Sequence, residues 1–403
     1  MEYDKELHLQ WNMDVDYALV FSKWWCKAFG IWPWQDNEVL RILQTGSIIL
    51  TLMIDNALSL TQLITKGTCG LITDLVDTLS GIVIFSITIT KILILSFHQQ
   101  QLCYIISSMM HDWLNIRERK SLDIMRRYAY WGRLAFILQT APVVADVILT
   151  IWSDPPNMES EISENNSSLK RSLILAPSCW IPITMSRSVY LLYYYFHLIA
   201  AIFVAVTYAG YIPFMFSTVI HICGQFEILE ESIKNLSDGD DYSIQRYKIK
   251  KYSQRHNHLI LLGNRVRSVV NIIILSVILG NTVLICASGL AVLADVKMGI
   301  TSSVVLSWVA RIYVMYIEIF IYCYIGEKMS SYADRLQGTL YNCRWYNMPT
   351  NNVKDIEFMI MRNNLFCHLA AGKVLIMNYE SFTKITKNLF SFFSILRIML
   401  EGH

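Results

Sequence analysis

Charged and strongly polar side chains are rare in the long apolar stretches of this sequence, and each one found there is a candidate for a functional role. In the stretch 374 to 397, polar residues recur every three to four positions and so share one helix face. These residues are Asn378, Ser381, Lys384, Lys387 or Asn388, Ser391 and Ser394. A single polar face on such a helix indicates a pore lining. The alternative is a helix buried against polar neighbours, with Glu380 and Lys384 paired four residues apart.

Two other apolar stretches contain ionisable residues. Arg311 and Glu318 are seven residues apart and therefore project from the same helix face, which favours a structural salt bridge over ligand contact. Asp74, Asp77 and Lys91 share an earlier stretch. For the two aspartates, a polar vestibule and simple interfacial solvation are equally consistent with the sequence.

Aromatic residues and small hydroxyl residues collect toward one end of four of these stretches. The candidates for ligand contact at these ends are Thr78, Leu79, Thr150, Tyr190, Tyr194, His197, Trp308 and Tyr313. Trp152, Tyr193, Phe196 and Ser302 lie beside them. Such a set could line an apolar pocket with few polar groups, suited to a volatile small molecule. Aromatic belts at membrane interfaces and ordinary helix packing are the alternative explanation.

The elements that must position these residues are membrane-spanning helices. Hydrophobic residues make up 54% of the 403 residues and charged residues only 16%, a balance typical of an integral membrane protein. A spanning helix needs ~20 mostly apolar residues. Seven stretches meet that requirement, and they predict an all-α protein with seven transmembrane helices. They cover 41 to 64, 71 to 97, 128 to 152, 187 to 222, 268 to 294, 301 to 326 and 374 to 397.

Other classes of protein are disfavoured. The net charge of +2 gives no basic surface for nucleic acid, and no nucleotide-binding, hydrolase or metalloprotease motif occurs, so no enzyme activity and no cofactor are expected. The nine cysteines are scattered without metal-ligand spacing, so no metal site is expected. Cys69 and Cys179 could form one disulfide or remain two unrelated thiols. The acidic start of the chain does not fit a signal peptide.

The loop charges indicate an orientation. With seven spans, one set of connecting segments holds 22 Lys and Arg residues and the other set holds four. The positive-inside rule therefore places the N-terminus in the cytoplasm and the C-terminus outside, the reverse of a G-protein-coupled receptor. Asn165 and Asn166 begin overlapping glycosylation sequons in the segment 153 to 186, which this topology places outside.

The last third of the chain resembles one receptor family. After the sixth stretch come Ser331-Tyr332-Ala333, Tyr341, Trp345-Tyr346 and Pro349, and the final stretch pairs Ser381-Phe382 with Ser391 and closes on Leu396-Arg397. Together with the inverted seven-helix topology, this pattern is similar to that of the insect odorant-receptor family. Gustatory receptors end in a different motif, and the family's shared co-receptor has a much longer segment where this chain has 223 to 267. The chain therefore looks like a ligand-tuned subunit.

The resemblance implies a ligand-gated, non-selective cation channel. Its partners would be an odorant small molecule, membrane lipid and shared co-receptor subunits in a tetramer, at the plasma membrane of an olfactory sensory neuron dendrite. Residues 1–326 would hold six helices and the outer ligand pocket, and residues 327–403 a cytoplasmic anchor segment and the pore-lining seventh helix. The gate-proximal residues would be Ser391, Ser394, Ile395 and Ile398. The alternatives are a gustatory-type channel, a G-protein-coupled receptor and a transporter.

Overall fold

The computed structural model describes residues 12–34, 37–67, 72–153, 180, 186–236, 241–299, 302–363 and 368–401. These residues are mostly helical, with connecting segments, a short 3₁₀ turn at Trp345–Asn347 and a two-stranded hairpin. The helices are α1 (Met13–Ala28), α2 (Glu38–Lys66), α3 (Ile72–Phe97), α4 (Gln99–Asn115), α5 (Arg119–Ser153), α6 (Arg187–Lys234), α7 (Tyr242–Met298), α8 (Ser302–Asn342), α9 (Thr350–Asn363) and α10 (Tyr379–Glu401). The strands are β1 (Ala370–Ala371) and β2 (Leu375–Ile376).

Seven of these helices correspond to the seven predicted spans. Within the described ranges, α2, α3, α5, α6, α7 and α8 are long and apolar enough to cross a membrane. The seventh, α10, is less apolar than these six because its 23 residues include Glu380, Lys384, Lys387 and Arg397. Its predicted start at 374 was wrong, since the chain at that point forms the hairpin and the helix begins at Tyr379.

The helices α6, α7 and α8 extend farthest past one bilayer thickness. A crossing uses ~20 residues, whereas α6, α7 and α8 have 48, 57 and 41 residues. All three continue toward the end of the bundle that carries the Lys- and Arg-rich segments 98–127, 223–267 and 327–373, which we call the basic end. The segment 98–127, which is predicted as a loop between the second and third spans, contains the helix α4. Hydropathy did not reveal these helical extensions, because their residues are polar and lie beyond the apolar stretches.

At the basic end, α9 packs against α7 and α8. Asn352 Nδ2 donates to Gln245 Oε1 on α7 (2.9 Å), and Asn363 Nδ2 donates to the Ala333 carbonyl on α8 (2.9 Å). His256 Nε2 lies 3.1 Å from Asn363 Oδ1, which makes this histidine a packed, hydrogen-bonded group. These contacts join the segment after α8 to the long helices.

A second buried polar cluster joins α4 to α6 and α7 at the same end. Asp112 on α4 contacts His221 Nε2 (3.0 Å) and Arg255 Nη2 (2.7 Å). Burial alone would raise the pKa of Asp112, but its hydrogen bond with His221 and the charge of Arg255 outweigh burial and hold the pKa at about 2. Asp112 is therefore a structural anion that ties three helices together.

The hairpin and α10 are docked on α7 and α8. The Gly372 and Lys373 amides donate to the carbonyl (3.1 Å) and side chain (3.0 Å) of Asn271 on α7. The turn requires positive φ at both positions, 59° and 62°. At the start of α10, the Asn378 side chain accepts from the Ser381 amide (2.8 Å), satisfying one free N–H of the first turn. The base of the last helix is thus fixed to the bundle.

Candidate functional site

A cavity of about 110 Å³ lies between α3, α5, α6 and α8. These are the second, third, fourth and sixth spans, which contain the predicted ligand-contact residues. The lining is mostly aliphatic, with one phenylalanine and five polar or charged residues. The polar and charged residues are Ser80, Asp146, Thr150, Tyr208 and Arg311. An engineered apolar cavity of ~150 Å³ can bind benzene, so this space suits a small, mostly apolar molecule.

Arg311 on α8 is neutralised at the wall of the cavity. Its Nη1 atom lies 2.7 Å from Asp77 Oδ1 on α3, and its Nε atom lies 3.3 Å from Asp146 Oδ1 on α5. The guanidinium also lies 4.7 Å from the centre of the Trp308 ring. Because two carboxylates already engage Arg311, the described residues of the cavity wall offer no unpaired cation to a ligand carboxylate.

Two buried hydroxyl groups of the cavity wall lack a hydrogen-bond partner among the residues that the structure describes. They are Ser80 Oγ on α3 and Tyr208 Oη on α6, and the two residues are only 1% and 5% exposed. An unsatisfied buried polar group costs about 1–3 kcal/mol. Because neither oxygen has exposed surface, a ligand oxygen or N–H group would relieve that cost only if the side chain shifted toward the cavity. With such a shift, the cavity suits a molecule with a small polar function on an apolar body.

A second, much smaller cavity of about 10 Å³ lies next to the first, and Phe85 and Ala201 line both. Thr78 and His197 line this smaller space. His197 Nδ1 contacts Asp55 Oδ1 on α2 at 2.6 Å, and both side chains are almost completely buried. This contact joins α6 to α2.

The structure places the predicted ligand-contact residues in three settings. Thr150 lines the main cavity, and Thr78 and His197 line the smaller one. Tyr190, Tyr194 and Trp308 are buried outside both cavity walls, and Trp308 Nε1 donates to Asp295 Oδ2 (3.0 Å). Leu79 and Tyr313 point outward and are 43% and 44% exposed. The cavities therefore gather three of these eight residues.

Sequence reasoning missed Asp146 and Tyr208 in the cavity wall. Asp146 is an acidic residue inside an apolar stretch, the same signal that singled out Arg311, and that signal would have found it. Tyr208 lies outside the outer half of its helix, where the predicted aromatic contacts lie. Arg311 and Glu318 do not pair with each other, because seven residues along a helix separate them by ~10 Å. Each pairs across helices instead.

The helix α10 has one packed face and one open face. Ser381, Ile385 and Leu389 are buried against the bundle. The predicted pore residues are all exposed on the opposite side, where they form a stripe at helical spacing. They are Ser391, Ser394, Ile395 and Ile398. The Lys384 Nζ to Glu380 Oε1 pair also forms (2.6 Å), with both side chains largely exposed.

Two sets of predictions lie outside the described residues. They are the glycosylation sequons at Asn165 and Asn166, and the Cys69 and Cys179 pair.

Comparison with known proteins agrees with this seven-helix arrangement. Residues 71–390 match the family described as 7tm Odorant receptor. The insect olfactory receptor OR5 from Machilis hrabei has a structure that covers 94% of this chain and 99% of its own, with a TM-score of 0.76 and 12% sequence identity. The structure of that receptor in complex with eugenol superimposes with the same TM-score over 95% of this chain.

Curated relatives are found in Drosophila melanogaster. Odorant receptor 13a is 25% identical over 237 residues, which is 55% of this chain and 54% of the relative. Odorant receptor 22c is 20% identical over 37% of this chain and 39% of the relative. The matched regions thus span about half or less of these relatives.

The fold and the match over 71–390 define a class, a seven-helix transmembrane receptor of the insect type and not an enzyme. The chain belongs to the 7tm Odorant receptor family.

Proposed function

We propose that this chain is the odorant-sensing subunit of a ligand-gated, non-selective cation channel. A small odorant binds in the cavity between α3, α5, α6 and α8, and its binding opens a central pore lined by α10. The observation that carries the proposal is the apolar cavity between four helices, with two hydroxyls that lack a partner among the described residues, in a member of the odorant receptor family. Binding shifts the gate only if the odorant has higher affinity for the open state than for the closed state.

The open face of α10 supports a pore made by several copies. In a single chain, the stripe of Ser391, Ser394, Ile395 and Ile398 faces away from the bundle. Four such helices around one axis would turn these faces toward each other. Arg397, close to that stripe, places a cation beside a cation path, which favours a tetramer shared with co-receptor subunits over four copies of this chain.

The basic end would lie in the cytoplasm and the opposite end outside the cell, at the plasma membrane of an olfactory sensory neuron dendrite. The Lys and Arg distribution supports this orientation. In this arrangement the sequons at Asn165 and Asn166 are extracellular, and the segment 327–373 forms part of a cytoplasmic anchor. An epitope tag at the N-terminus should be accessible to antibody only in permeabilised cells; labelling of intact cells would overturn the orientation.

The function is tested by whole-cell current in a heterologous cell that expresses the chain with and without the insect co-receptor, challenged with a broad odorant panel. The proposal predicts an odorant-evoked cation current only when both chains are present. No current in either case, despite verified surface expression, would contradict the channel function. A full response from this chain alone would contradict the need for the co-receptor.

A further inference from the structure

A completely buried ion pair lies directly beyond the cavity. Lys91 Nζ on α3 and Glu318 Oε1 on α8 are 2.8 Å apart, and neither side chain has any exposed surface. Asn281 Nδ2 on α7 donates to the other Glu318 oxygen (2.9 Å). Desolvating two charges costs more than packing apolar residues in their place, and ionisable residues within membrane helices are functional candidates by default. Stability alone is therefore a poor reason for this pair.

Tyr208 belongs both to the cavity and to the surroundings of this ion pair. Its side chain lines the cavity, and its ring centre lies 3.9 Å from Lys91 Nζ. Its hydroxyl is buried and has no hydrogen-bond partner in the described part of the chain. A molecule that displaces this ring changes its contact with the Lys91 ammonium.

One face of α8 connects the cavity to the ion pair. Arg311 and Met315 line the cavity, and Glu318 follows at the next turn. The spacing of four and three residues keeps all three on one side of the helix. A shift at the cavity therefore reaches Glu318 along a single rigid helix.

The other face of α8 contacts α10. Tyr316 Oη lies 3.1 Å from Thr386 Oγ1, and the ring centres of Phe320 and Phe382 are 5.3 Å apart. Tyr316 and Phe320 each lie two residues from Glu318, about 200° around the helix at 100° per residue. Any rotation of α8 that follows a change at Glu318 must also move its contacts with α10.

We propose that Tyr208 and the Lys91–Glu318 pair are the positioning residues that transmit occupancy of the cavity through α8 to α10. In the empty cavity, Tyr208 packs on Lys91 and the ion pair holds α8 in one orientation. An occupant that moves Tyr208 weakens this hold and allows α8 to turn. The inference rests on the cavity being the ligand site of the proposed function.

The test uses a covalent occupant, so that no natural ligand has to be known. Ala205 on α6 lines the cavity, and full-length Ala205→Cys in lipid nanodiscs is labelled with benzyl methanethiosulfonate. Hydrogen exchange of the α10 amides is then compared before and after labelling. The expected change in exchange rate is about fivefold or more, the lower part of the usual range for coupling between sites.

The decisive comparison is the same experiment in the background Lys91→Met with Glu318→Met. Removing both charges avoids leaving one charge buried without a partner, so this double variant should fold. The benzyl label should then change α10 exchange by less than twofold. An equal response in both backgrounds would overturn the proposal, and so would the absence of a response in the parent. Tyr208→Phe, which keeps the ring over Lys91, should retain the response if the ring transmits it, whereas Tyr208→Leu should lose it.

Val144→Cys with the same label is the control for attachment to the helix bundle, since Val144 is 48% exposed on the outer face of α5. It should leave α10 exchange unchanged, as should labelling of the parent chain without an added cysteine. The readout does not depend on current. A failed channel assay and a failed coupling assay are therefore separate results.

Discussion

The contact between α8 and the chain leading into α10 has no room for a side chain at Gly326. A Cβ atom there would lie 2.9 Å from Met377 Cβ and 3.1 Å from the Met377 carbonyl carbon, with the carbonyl oxygen closer still. Met377 cannot move alone, because its amide donates to the Leu369 carbonyl (2.9 Å) across the hairpin. Overpacking of this kind costs about 1–3 kcal/mol, and the helix gains ~0.5–1 kcal/mol when Gly becomes Ala. Gly326→Ala should thus lose about 1–2 kcal/mol of stability.

The assay is thermal unfolding of the purified full-length protein in detergent, followed by tryptophan fluorescence. Gly338→Ala is the matched control, because Gly338 lies in the same helix, is exposed and has nothing within 4 Å of the added Cβ. Gly326→Ala should melt below the parent, and Gly338→Ala at or above it. If Gly326→Ala melts as high as Gly338→Ala, then α8 and the base of α10 are not in the close contact described.

Two more predictions concern the packing of the bundle. Gly210→Ala would place a Cβ inside the ring of Trp25, which is 1% exposed, so this overpacking should lower the melting temperature. Gly46→Ala is the control, because the space around Gly46 is open, and it should melt as the parent does. Equal melting temperatures of the two variants would contradict the packing. Asp112→Asn should cost about 2 kcal/mol at neutral pH, since the folded pKa is about 2 against an ordinary 3.8. Because that pKa is depressed, the stabilisation is present above about pH 4 and is lost as the pH falls through about 2. The melting temperatures of parent and variant should therefore converge at low pH. A difference in melting temperature that stays constant with pH would exclude the ionic contribution.

Hydropathy located the spanning helices well where the apolar stretch ends at the edge of the bilayer. The second predicted span, 71 to 97, differs by one residue from α3, and the fourth begins at Arg187 as α6 does. It could not give the length of α7, which begins at Tyr242 instead of the predicted 268. The residues before 268 are polar and give no hydropathy signal, and their helical structure is supported by packing against α4, α6 and α9.

The candidate site could be predicted by helix but only partly by residue. Thr150 reaches the main cavity, whereas Leu79 and Tyr313 point outward. Residue type does not determine which way a spanning helix is rotated, since lipid and a cavity wall both accept apolar and aromatic groups. The sequence also does not identify the partners in ion pairs. It shows Arg311 on an apolar helix, but only the packing of the helices shows that Asp146 faces Arg311.

The central claim is that the cavity between α3, α5, α6 and α8 is where an odorant acts, and a matched pair of α5 variants tests it most directly. Val147 lines the cavity, and Val144 is 48% exposed on the outer face of the same helix. Odorant-evoked current is measured for Val147→Trp and Val144→Trp, each with the co-receptor and with verified surface expression. An indole at 147 should fill most of the cavity and lower odorant sensitivity at least tenfold, whereas Val144→Trp should respond as the parent does. A parental response of Val147→Trp to every odorant would contradict the account.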